Sequence, residues 1–441
     1  MCYCGGPAPQ DADPKTLFKE IIVLMNRLLL FGLAAMVAGC GAPSPPPDPP
    51  PDLDSGSSGA STAVEEAQLQ RLDESWQAYK QRFIQADGRV IDREDGDRTV
   101  SEGQAYALLR AVMADDPTTF SIVLSWSESN LGIFTEEGQQ HQLWAWKWGR
   151  DDADQWGIID ANFASDADLD ACVALILAAR MWNQPQYLDL ARDKLADLWA
   201  LSTIDTPNRQ MLGGGRIFLP GPKEAFQPSL SQVVLNPSYF APYAFRLFAQ
   251  VDPDHDWGAL VDSSYDILTD SAQISAIGLP SDWVALDLAT GDFSPVPPSS
   301  RLVSQYGFDA YRVWWRVALD AALTGEPRAT AYLNQHLPPL LDWWQETGSI
   351  PAEIGLQGEA LVEYDSPAQY GMLYPAFSET SPDTAEQILN QALLPTYSRG
   401  IWASDTAYYT QNLIGLGLYP SSDLKSLDWR LDGNQQNPAS P

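Results

Sequence analysis

Residues 164–179 read ASDADLDACVALILAA, an acidic start followed by an apolar run that covers every side of a helix. A helix of this kind must lie inside a protein, because it has no polar face to turn towards water. Residues 313–322, VWWRVALDAA, are also apolar nearly all round. The chain therefore contains helices that other elements must enclose.

Helices of a second kind alternate with these along the chain. In residues 185–200, leucine and alanine recur at helical spacing with charged residues such as Asp193 and Lys194 between them, the pattern of a helix with one face in water. Twelve helices are predicted, at 66–84, 101–114, 117–129, 168–182, 185–200, 237–250, 256–272, 309–323, 327–346, 366–378, 382–394 and 405–417. Their alternation predicts an all-α fold, an (α/α)6 barrel of six inner and six outer helices. A stack of helical repeats is the alternative, although no fixed period of about 34 to 45 residues is visible.

Each enclosed helix starts in a polar cluster. Ser, Asp and Asn at such positions commonly accept hydrogen bonds from the free N–H groups of the first turn, and this N-cap role accounts for most of them. The inner helices of a barrel, however, all begin at the same rim. We therefore expect three carboxylates from these clusters, Glu102, Asp166 and Asp309, to meet around one mouth.

Aromatic residues are concentrated in the segments that form this mouth. The tract LWAWKWG, residues 143–149, places three tryptophans at alternate positions in a predicted long loop, where they are difficult to bury together. Trp314 and Trp315 lie within an enclosed helix and are better explained as core. A cleft that contains both carboxylates and aromatic rings is suited to binding and hydrolysing a sugar chain.

The composition excludes several other classes of function. The chain has 26 Lys and Arg residues against 58 Asp and Glu, a formal net charge of −32, and a field of this sign repels phosphate backbones, so no nucleic-acid partner is expected. None of the three histidines has a second histidine or a cysteine at metal-ligand spacing, so neither a metal nor another cofactor is predicted. The four cysteines are Cys2, Cys4, Cys40 and Cys172.

The N-terminal region resembles an export signal. Residues 28–38 form an apolar run that is too short for a membrane-spanning helix of about 20 residues and typical of a signal peptide. The run ends in VAGC, residues 37–40, which resembles a bacterial lipoprotein signal in which Cys40 becomes the lipidated first residue. An ordinary secretory signal with an incidental cysteine is the alternative. Met25 is then the expected start, and residues 1–24 are an upstream extension.

The remaining segments predict a large folded domain that a tether attaches to a membrane. Residues 25–39 are the signal peptide, and residues 40–63 are the lipidated cysteine and a tether rich in Pro and Ser, which cannot bury apolar surface. The barrel domain is placed at 64–432 and a polar tail at 433–441. We expect an exported monomer that touches a membrane only through its lipid anchor. Gly41, rather than Asp, after the cysteine favours the outer membrane, facing the periplasm.

Three motifs, in order along the chain, resemble glycoside hydrolase family 8. SEGQAY at 101–106 resembles the segment that carries the general acid of the family. ASDAD at 164–168, with the apolar helix after it, resembles the family signature. YGFDAYR at 306–312 resembles the segment that carries the general base. The resemblance extends from about Ser75 to Pro420. Three further segments look most like the branch of the family found in bacterial cellulose-synthesis operons, at Trp76–Asp92, Asn236–Tyr239 and Ser281–Val284.

The resemblance implies hydrolysis of β-1,4-glucan within the chain and with inversion. Glu102 would be the general acid, Asp309 the general base, and Asp166 would bind the distorted sugar in the cleavage subsite. Such a pair requires carboxyl groups about 6.5–9.5 Å apart so that a water molecule fits. A helix N-terminus lowers the pKa of a carboxyl group, so burial or the charge of Asp166 must raise that of Glu102 if it is to act as an acid.

Four further residues are predicted to contact the β-1,4-linked polysaccharide or oligosaccharide. Trp146 and Tyr239 are candidates for stacking on sugar rings, and Tyr306 is a further aromatic contact at the mouth. Arg312 is expected to orient the base or a sugar hydroxyl, with simple pairing to Asp309 as the alternative. Phe308 stands where the family often has Tyr, which removes a hydroxyl group beside the base.

Other functions stay open at this point. A non-catalytic glucan-binding lipoprotein would keep the tryptophans but could lose an acid, and both Glu102 and Asp309 are present. A polysaccharide lyase on the same barrel would need basic residues to neutralise a uronate, which this acidic chain with three histidines provides poorly. Within the hydrolases, xylan or chitosan could replace cellulose as the substrate.

Overall fold

A computed structural model describes residues 57–135, 138–206, 212, 215–298 and 300–430 of the chain. The predicted signal peptide, Cys40 and the polar tail lie outside these residues. The described part of the chain is mainly helical. Its α-helices are α1 Ser57–Phe83, α2 Ser101–Met113, α3 Pro117–Asn130, α4 Ser165–Met181, α5 Pro185–Ser202, α6 Lys223–Phe226, α7 Pro242–Val251, α8 Trp257–Ser271, α9 Tyr311–Thr324, α10 Pro327–His336, α11 Pro338–Thr347, α12 Pro367–Thr380, α13 Pro382–Ile388, α14 Tyr408–Gly417 and α15 Ser421–Ser426.

Six of these helices form a closed inner ring. Helix α2 contacts α4, α4 contacts α7, α7 contacts α9, α9 contacts α12, α12 contacts α14, and α14 returns to α2. Every residue of α4 from Ser165 to Ala179 is buried, as an all-round apolar helix requires. The ring is therefore formed by the helices whose sequence predicts enclosure.

A second layer of helices surrounds the ring. Helix α1 packs on α14, α3 on α2, α5 on α4, α8 on α7, α10 on α9, and α13 on α12. Each outer helix thus covers the inner helix next to it in the chain or, for α1, the last one. This arrangement confirms the predicted (α/α)6 barrel of six inner and six outer helices.

Several helix boundaries differ from the predicted ones. Helix α1 begins at Ser57, seven residues before the predicted start of the domain, because the prolines that prevent helix formation end at Pro51. The predicted helix 327–346 is two helices, since Pro338 cannot donate a backbone hydrogen bond. A π-helical turn at Leu389–Leu393 replaces the end of the predicted helix 382–394.

Short antiparallel strands join the helices. Within the described residues they are β1 Thr99–Val100, β2 Gly132–Thr135, β3 Gly138–Trp144, β4 Lys147–Arg150, β5 Trp156–Asp160, β6 Thr203–Asp205, β7 Arg216–Phe218, β8 Gln232–Leu235, β9 Val284–Asp287, β10 Phe293–Ser294, β11 Tyr397–Ser398 and β12 Ile401–Trp402. The sheets have the orders β1-β4-β5, β10-β9-β8, β11-β12, β2-β3 and β6-β7. The prediction of a long loop at residues 143–149 is wrong, because Trp144 ends β3 and Trp148 belongs to β4.

One charged residue occupies an unexpected place. The pattern of α5 predicts that Lys194 faces water, yet its side chain is fully buried and forms ion pairs with Glu128 and Asp168. Helical periodicity cannot reveal such a pairing, since the two partners belong to α3 and α4.

The described residues were also searched for membrane spans. None of their helices is both long enough and apolar enough to cross a bilayer.

Candidate active site

Glu102 lies in the first turn of α2 and is half-buried. The indole nitrogen Nε1 of Trp146 donates a hydrogen bond to Oε1 at 3.0 Å, and the hydroxyl group of Ser101 donates to Oε2 at 3.2 Å. The main chains of the two segments are also joined, because the N–H of Ser101 donates to the carbonyl of Trp146 at 3.0 Å. The acidic residue and the tryptophan therefore form one unit.

The surroundings of Glu102 suit a general acid. Burial, and secondly the negative charge of Asp166, raise the pKa of Glu102 to about 7. Backbone hydrogen bonding at the helix N-terminus, Arg312 and Trp146 act in the opposite direction and are outweighed. Glu102 thus keeps its proton in mildly acidic solution, where an ordinary carboxyl group has lost it.

Asp309 lies in the turn just before α9. Its Oδ1 accepts a hydrogen bond from Nη2 of Arg312 at 3.0 Å, and its Oδ2 accepts one from Nε1 of Trp283 at 3.0 Å. Burial and the Asp166 charge raise the pKa of Asp309, while Arg312, Asn236 and Trp283 oppose that rise. Because both oxygens receive donors and each retains a lone pair, Asp309 can stay ionised and still accept a proton from water.

Asp166 is linked to Asp309 by a shared arginine. Arg312 is buried in the first turn of α9, and its Nη1 donates both to Oδ2 of Asp166 and to the hydroxyl of Tyr106. Its Nη2 holds Asp309. The alternative that Arg312 only pairs with Asp309 is therefore wrong, since one guanidinium group bridges two of the three carboxylates. Asp166 is only 1% exposed, so it lies at the bottom of the site.

The predicted aromatic contacts separate into two groups. Trp146 is half-buried beside Glu102, and Nζ of Lys147 lies 3.5 Å from its ring centroid. Tyr239 lies next to Arg312, whose Cζ atom is 5.3 Å from the Tyr239 ring centroid. Tyr306, in contrast, is 2% exposed, and its hydroxyl accepts hydrogen bonds from Trp314 and Gln369. Because its hydroxyl group is bound to these two core side chains, Tyr306 belongs to the core behind the site and is not placed as a sugar contact.

Residues 281–283 contribute to the site in a way that the sequence does not reveal. Oδ1 of Asp282 accepts hydrogen bonds from the main-chain N–H groups of Asp309 at 3.1 Å and Ala310 at 2.8 Å. Asp282 is thus the cap that orients the turn of Asp309, while the indole of Trp283 donates to the Asp309 carboxylate and its ring stacks on Phe226. The only sequence signal is the family-like segment Ser281–Val284, which carries no indication of either role.

A tyrosine hydroxyl group, that of Tyr409, lies near Phe308. The hydroxyl group of Tyr409, in the first turn of α14, donates to the carbonyl oxygen of Phe308 at 2.8 Å. The pKa of Tyr409 is well above its ordinary value because of burial, although Arg312 lowers it. A neutral hydroxyl therefore remains close to the base, supplied by another inner helix instead of residue 308.

The described residues contain no group of three or more His, Cys, Asp or Glu side chains that could hold a metal ion. The arrangement present instead is a pair of carboxyl groups in different environments, one that retains its proton and one held by an arginine and an indole. A pair of this kind, at one end of an (α/α)6 barrel, defines a glycoside hydrolase that works by acid and base catalysis.

Comparison with known proteins agrees with this class. The model of the glycosyl hydrolases family 8 matches residues 58–355, and the chain belongs to that family. Helices α12 and α14 of the inner ring lie beyond the matched range.

Relatives of known name and structure match most of the chain. An endoglucanase of Pseudomonas fluorescens is 31% identical over 78% of this chain and 90% of its own length. An endoglucanase of Escherichia coli K12 is 28% identical over 64% of this chain and 70% of its own length. The crystal structure of an endo-1,4-D-glucanase from Vibrio fischeri has a TM-score of 0.63 at 27% identity and covers 78% of this chain and 93% of its own.

Proposed function

We propose that this protein is an endo-β-1,4-glucanase that hydrolyses its substrate with inversion at the anomeric carbon. The observation that carries the proposal is the raised pKa of Glu102, about 7, in a site where Asp309 is held by Arg312 and Trp283. Two carboxyl groups whose environments differ in this way are an acid and a base. The named relatives, all endoglucanases, support β-1,4-glucan as the substrate.

The reaction follows from these positions. Glu102 gives its proton to the glycosidic oxygen, so that the leaving sugar departs as an alcohol. Asp309 takes a proton from a water molecule, whose oxygen attacks the anomeric carbon from the opposite side of the ring. The bond from that carbon to the glycosidic oxygen breaks as the new C–O bond forms. Each carboxyl group returns to its starting state by exchange of one proton with solvent.

Asp166 and Arg312 prepare the site for this step. Because the guanidinium group of Arg312 contacts both Asp166 and Asp309, it fixes the base relative to the bottom of the site. Oδ1 of Asp166 accepts a hydrogen bond from the N–H of Ala167 and retains a lone pair, which we assign to a sugar hydroxyl group at the bottom of the site. Trp146 is a platform for a sugar ring whose indole N–H also holds the acid.

The stereochemical outcome tests the proposed reaction. Proton NMR of fresh cleavage products of cellohexaose should show the α-anomer of the new reducing end first, with the β-anomer appearing only through mutarotation. Inversion requires this order, since water attacks the face opposite to the β-linked leaving group. A β-anomer at the earliest times would mean retention and would refute the roles of Glu102 and Asp309.

We also propose that the protein is exported and attached to the outer membrane through lipidated Cys40, and that it serves the synthesis or export of cellulose. The support for the anchor is the apolar run at 28–38 and the VAGC sequence at its end. The support for the role in cellulose synthesis or export is the likeness of Trp76–Asp92, Asn236–Tyr239 and Ser281–Val284 to the branch of the family found in cellulose-synthesis operons. The three acyl chains of a mature lipoprotein hold a domain firmly, whereas a single chain would bind weakly. The large acidic domain would then be tethered to the membrane while carrying the same sign of charge as anionic headgroups.

Replacing Cys40 tests the anchor. In detergent-phase partitioning of the full chain made in a bacterial host, the wild type should enter the detergent phase and Cys40→Ala should stay in the aqueous phase. Cys172→Ala is the matched control, because Cys172 is buried in the barrel and its loss should leave partitioning unchanged. A wild type found in the aqueous phase would contradict the proposed anchor.

A further inference from the structure

Three charged side chains from three helices meet in the interior next to the active site. Lys194 of α5 and Asp168 of α4 are both fully buried, and Glu128 of α3 is one-quarter exposed. The Lys194 Nζ atom lies 3.1 Å from Glu128 Oε1 and 3.6 Å from Asp168 Oδ1. We call these three residues the acidic-lysine cluster.

The acidic-lysine cluster surrounds one residue, Trp144. The main-chain N–H of Trp144 donates to both oxygens of Asp168, at 3.2 and 3.3 Å, and its indole N–H donates to Glu128 at 2.8 Å. The ammonium group of Lys194 lies 4.3 Å from the Trp144 ring centroid and donates to the carbonyl of Gln142. Both the backbone and the side chain of Trp144 are therefore held by charged groups.

Trp144 leads directly to the general acid. Two residues further along the chain, Trp146 donates from its indole to Glu102 at 3.0 Å. The segment between them is also fixed, because the N–H of Ala145 donates to Leu131 at 2.8 Å and the N–H of Trp146 donates to Asn162 at 2.6 Å. Because only Ala145 separates the two tryptophans, a displacement of Trp144 would strain the main chain that carries the indole bonded to Glu102.

Stability alone gives a poor reason for such a cluster. Removing an ammonium and two carboxylates from water is costly, and well-packed apolar residues often replace a buried ion pair without loss of stability. Directed hydrogen bonds to a main-chain N–H and an indole N–H, however, fix position in a way that apolar contacts do not. The arrangement is one that favours precise placement of the 144–146 segment.

We propose that Asp168, Lys194 and Glu128 are positioning residues for catalysis, which hold the 144–146 segment so that Trp146 keeps Glu102 aimed at the glycosidic oxygen. The inference rests on the proposed role of Glu102 as general acid. It assigns a function to the second aspartate of ASDAD that differs from that of the first, since Asp166 contacts Arg312 and Asp168 contacts Trp144. It also explains why an outer helix contributes a buried lysine.

The test compares two substrates that differ in their need for an acid. Asp168→Asn and Lys194→Met should lower kcat on cellohexaose about tenfold or more, because a displacement of about 1 Å can cost up to a hundredfold. Turnover of 2,4-dinitrophenyl β-cellotrioside should change less than threefold, since dinitrophenolate leaves without protonation. KM for cellohexaose should stay within about twofold. An equal loss on both substrates would overturn the inference and leave the cluster a purely structural one.

Two further variants make the comparison decisive. Asp320→Asn removes a buried carboxylate that pairs with Arg246 and Tyr265 at a distance from the site, and it should lower both rates in equal proportion or leave them unchanged. Trp146→Phe retains an aromatic ring but lacks the N–H, so it should reproduce the selective loss even if the cluster variants fail to fold. A proportional loss in Trp146→Phe would overturn the inference. Absence of substrate selectivity in Glu102→Gln would instead overturn the proposed function.

Discussion

Replacing Asp309 by alanine should lower kcat on cellohexaose by a factor of about 100 to 10,000, the range expected for the loss of a general base. In the proposed reaction this carboxylate accepts the water proton, and its neighbours Arg312 and Trp283 are both donors that cannot take its place. Binding of cellohexaose should be almost unchanged, because the aromatic platform at Trp146 lies beside the other carboxyl group. Steady-state rates and isothermal titration calorimetry would measure the two quantities.

Azide provides an internal control for this prediction. It is a small anionic nucleophile that needs no base, so it should restore turnover of an activated aryl cellotrioside by Asp309→Ala and form the α-glycosyl azide. Asp292→Asn serves as a matched control, because Asp292 is an exposed carboxyl group in the turn before β10. Near wild-type hydrolysis by Asp309→Ala without azide would remove Asp309 from the mechanism.

Glu102→Gln should lose a similar factor of about 100 to 10,000 on unactivated glucan and should also change the pH profile. In the wild type, kcat/KM should fall as the pH rises through about 7, because Glu102 loses the proton that it must donate. In acid, kcat/KM should fall as Asp309 becomes protonated, and burial places that fall above the ordinary range for Asp. The variant should lack the alkaline fall near pH 7, since Gln does not titrate.

The fold of Glu102→Gln should be intact. The amide oxygen of the glutamine can still accept the hydrogen bond from Trp146, so circular dichroism and thermal unfolding should match the wild type closely. On 2,4-dinitrophenyl β-cellotrioside the rate should remain within about tenfold of the wild type. If the alkaline fall persists in the variant, another group is the acid and Glu102 has a different role.

Much of the barrel could be predicted because an enclosed helix is recognisable from apolar residues on all of its sides. Helices α4 and α9 are apolar on every side, and only an inner ring satisfies such a surface. The boundary at Pro338 could be read from the proline, which ends a helix at the preceding residue even where the apolar period continues. The π-helical turn after α13 was less predictable, since it depends on local backbone hydrogen bonding that periodicity does not report.

The site was predictable to the extent that its residues begin inner helices. Glu102 and Asp166 lie in such first turns and Asp309 lies just before one, so one rim gathers them. Trp283 and Asp282 lie between helices, and the hydrogen bonds that join them to the base turn follow from no spacing in the sequence. Tyr306, although it is the first residue of the YGFDAYR motif, points into the core and forms hydrogen bonds with side chains of α9 and α12.

The sequence by itself determined the ring of enclosed helices and the acidic charge, because residue type and period are properties of a single chain, and its family-like motifs pointed to Glu102 and Asp309 as the candidate acid and base. Only the tertiary structure decided which carboxyl group has a raised pKa and which charged side chains are fixed by hydrogen bonds and ion pairs. The pKa of Glu102 depends on burial and on Asp166, and the burial of Lys194 depends on two partners from other helices. Electrostatic interactions and hydrogen bonds act over a few Å in space, whereas these residues are separated by tens of positions along the chain.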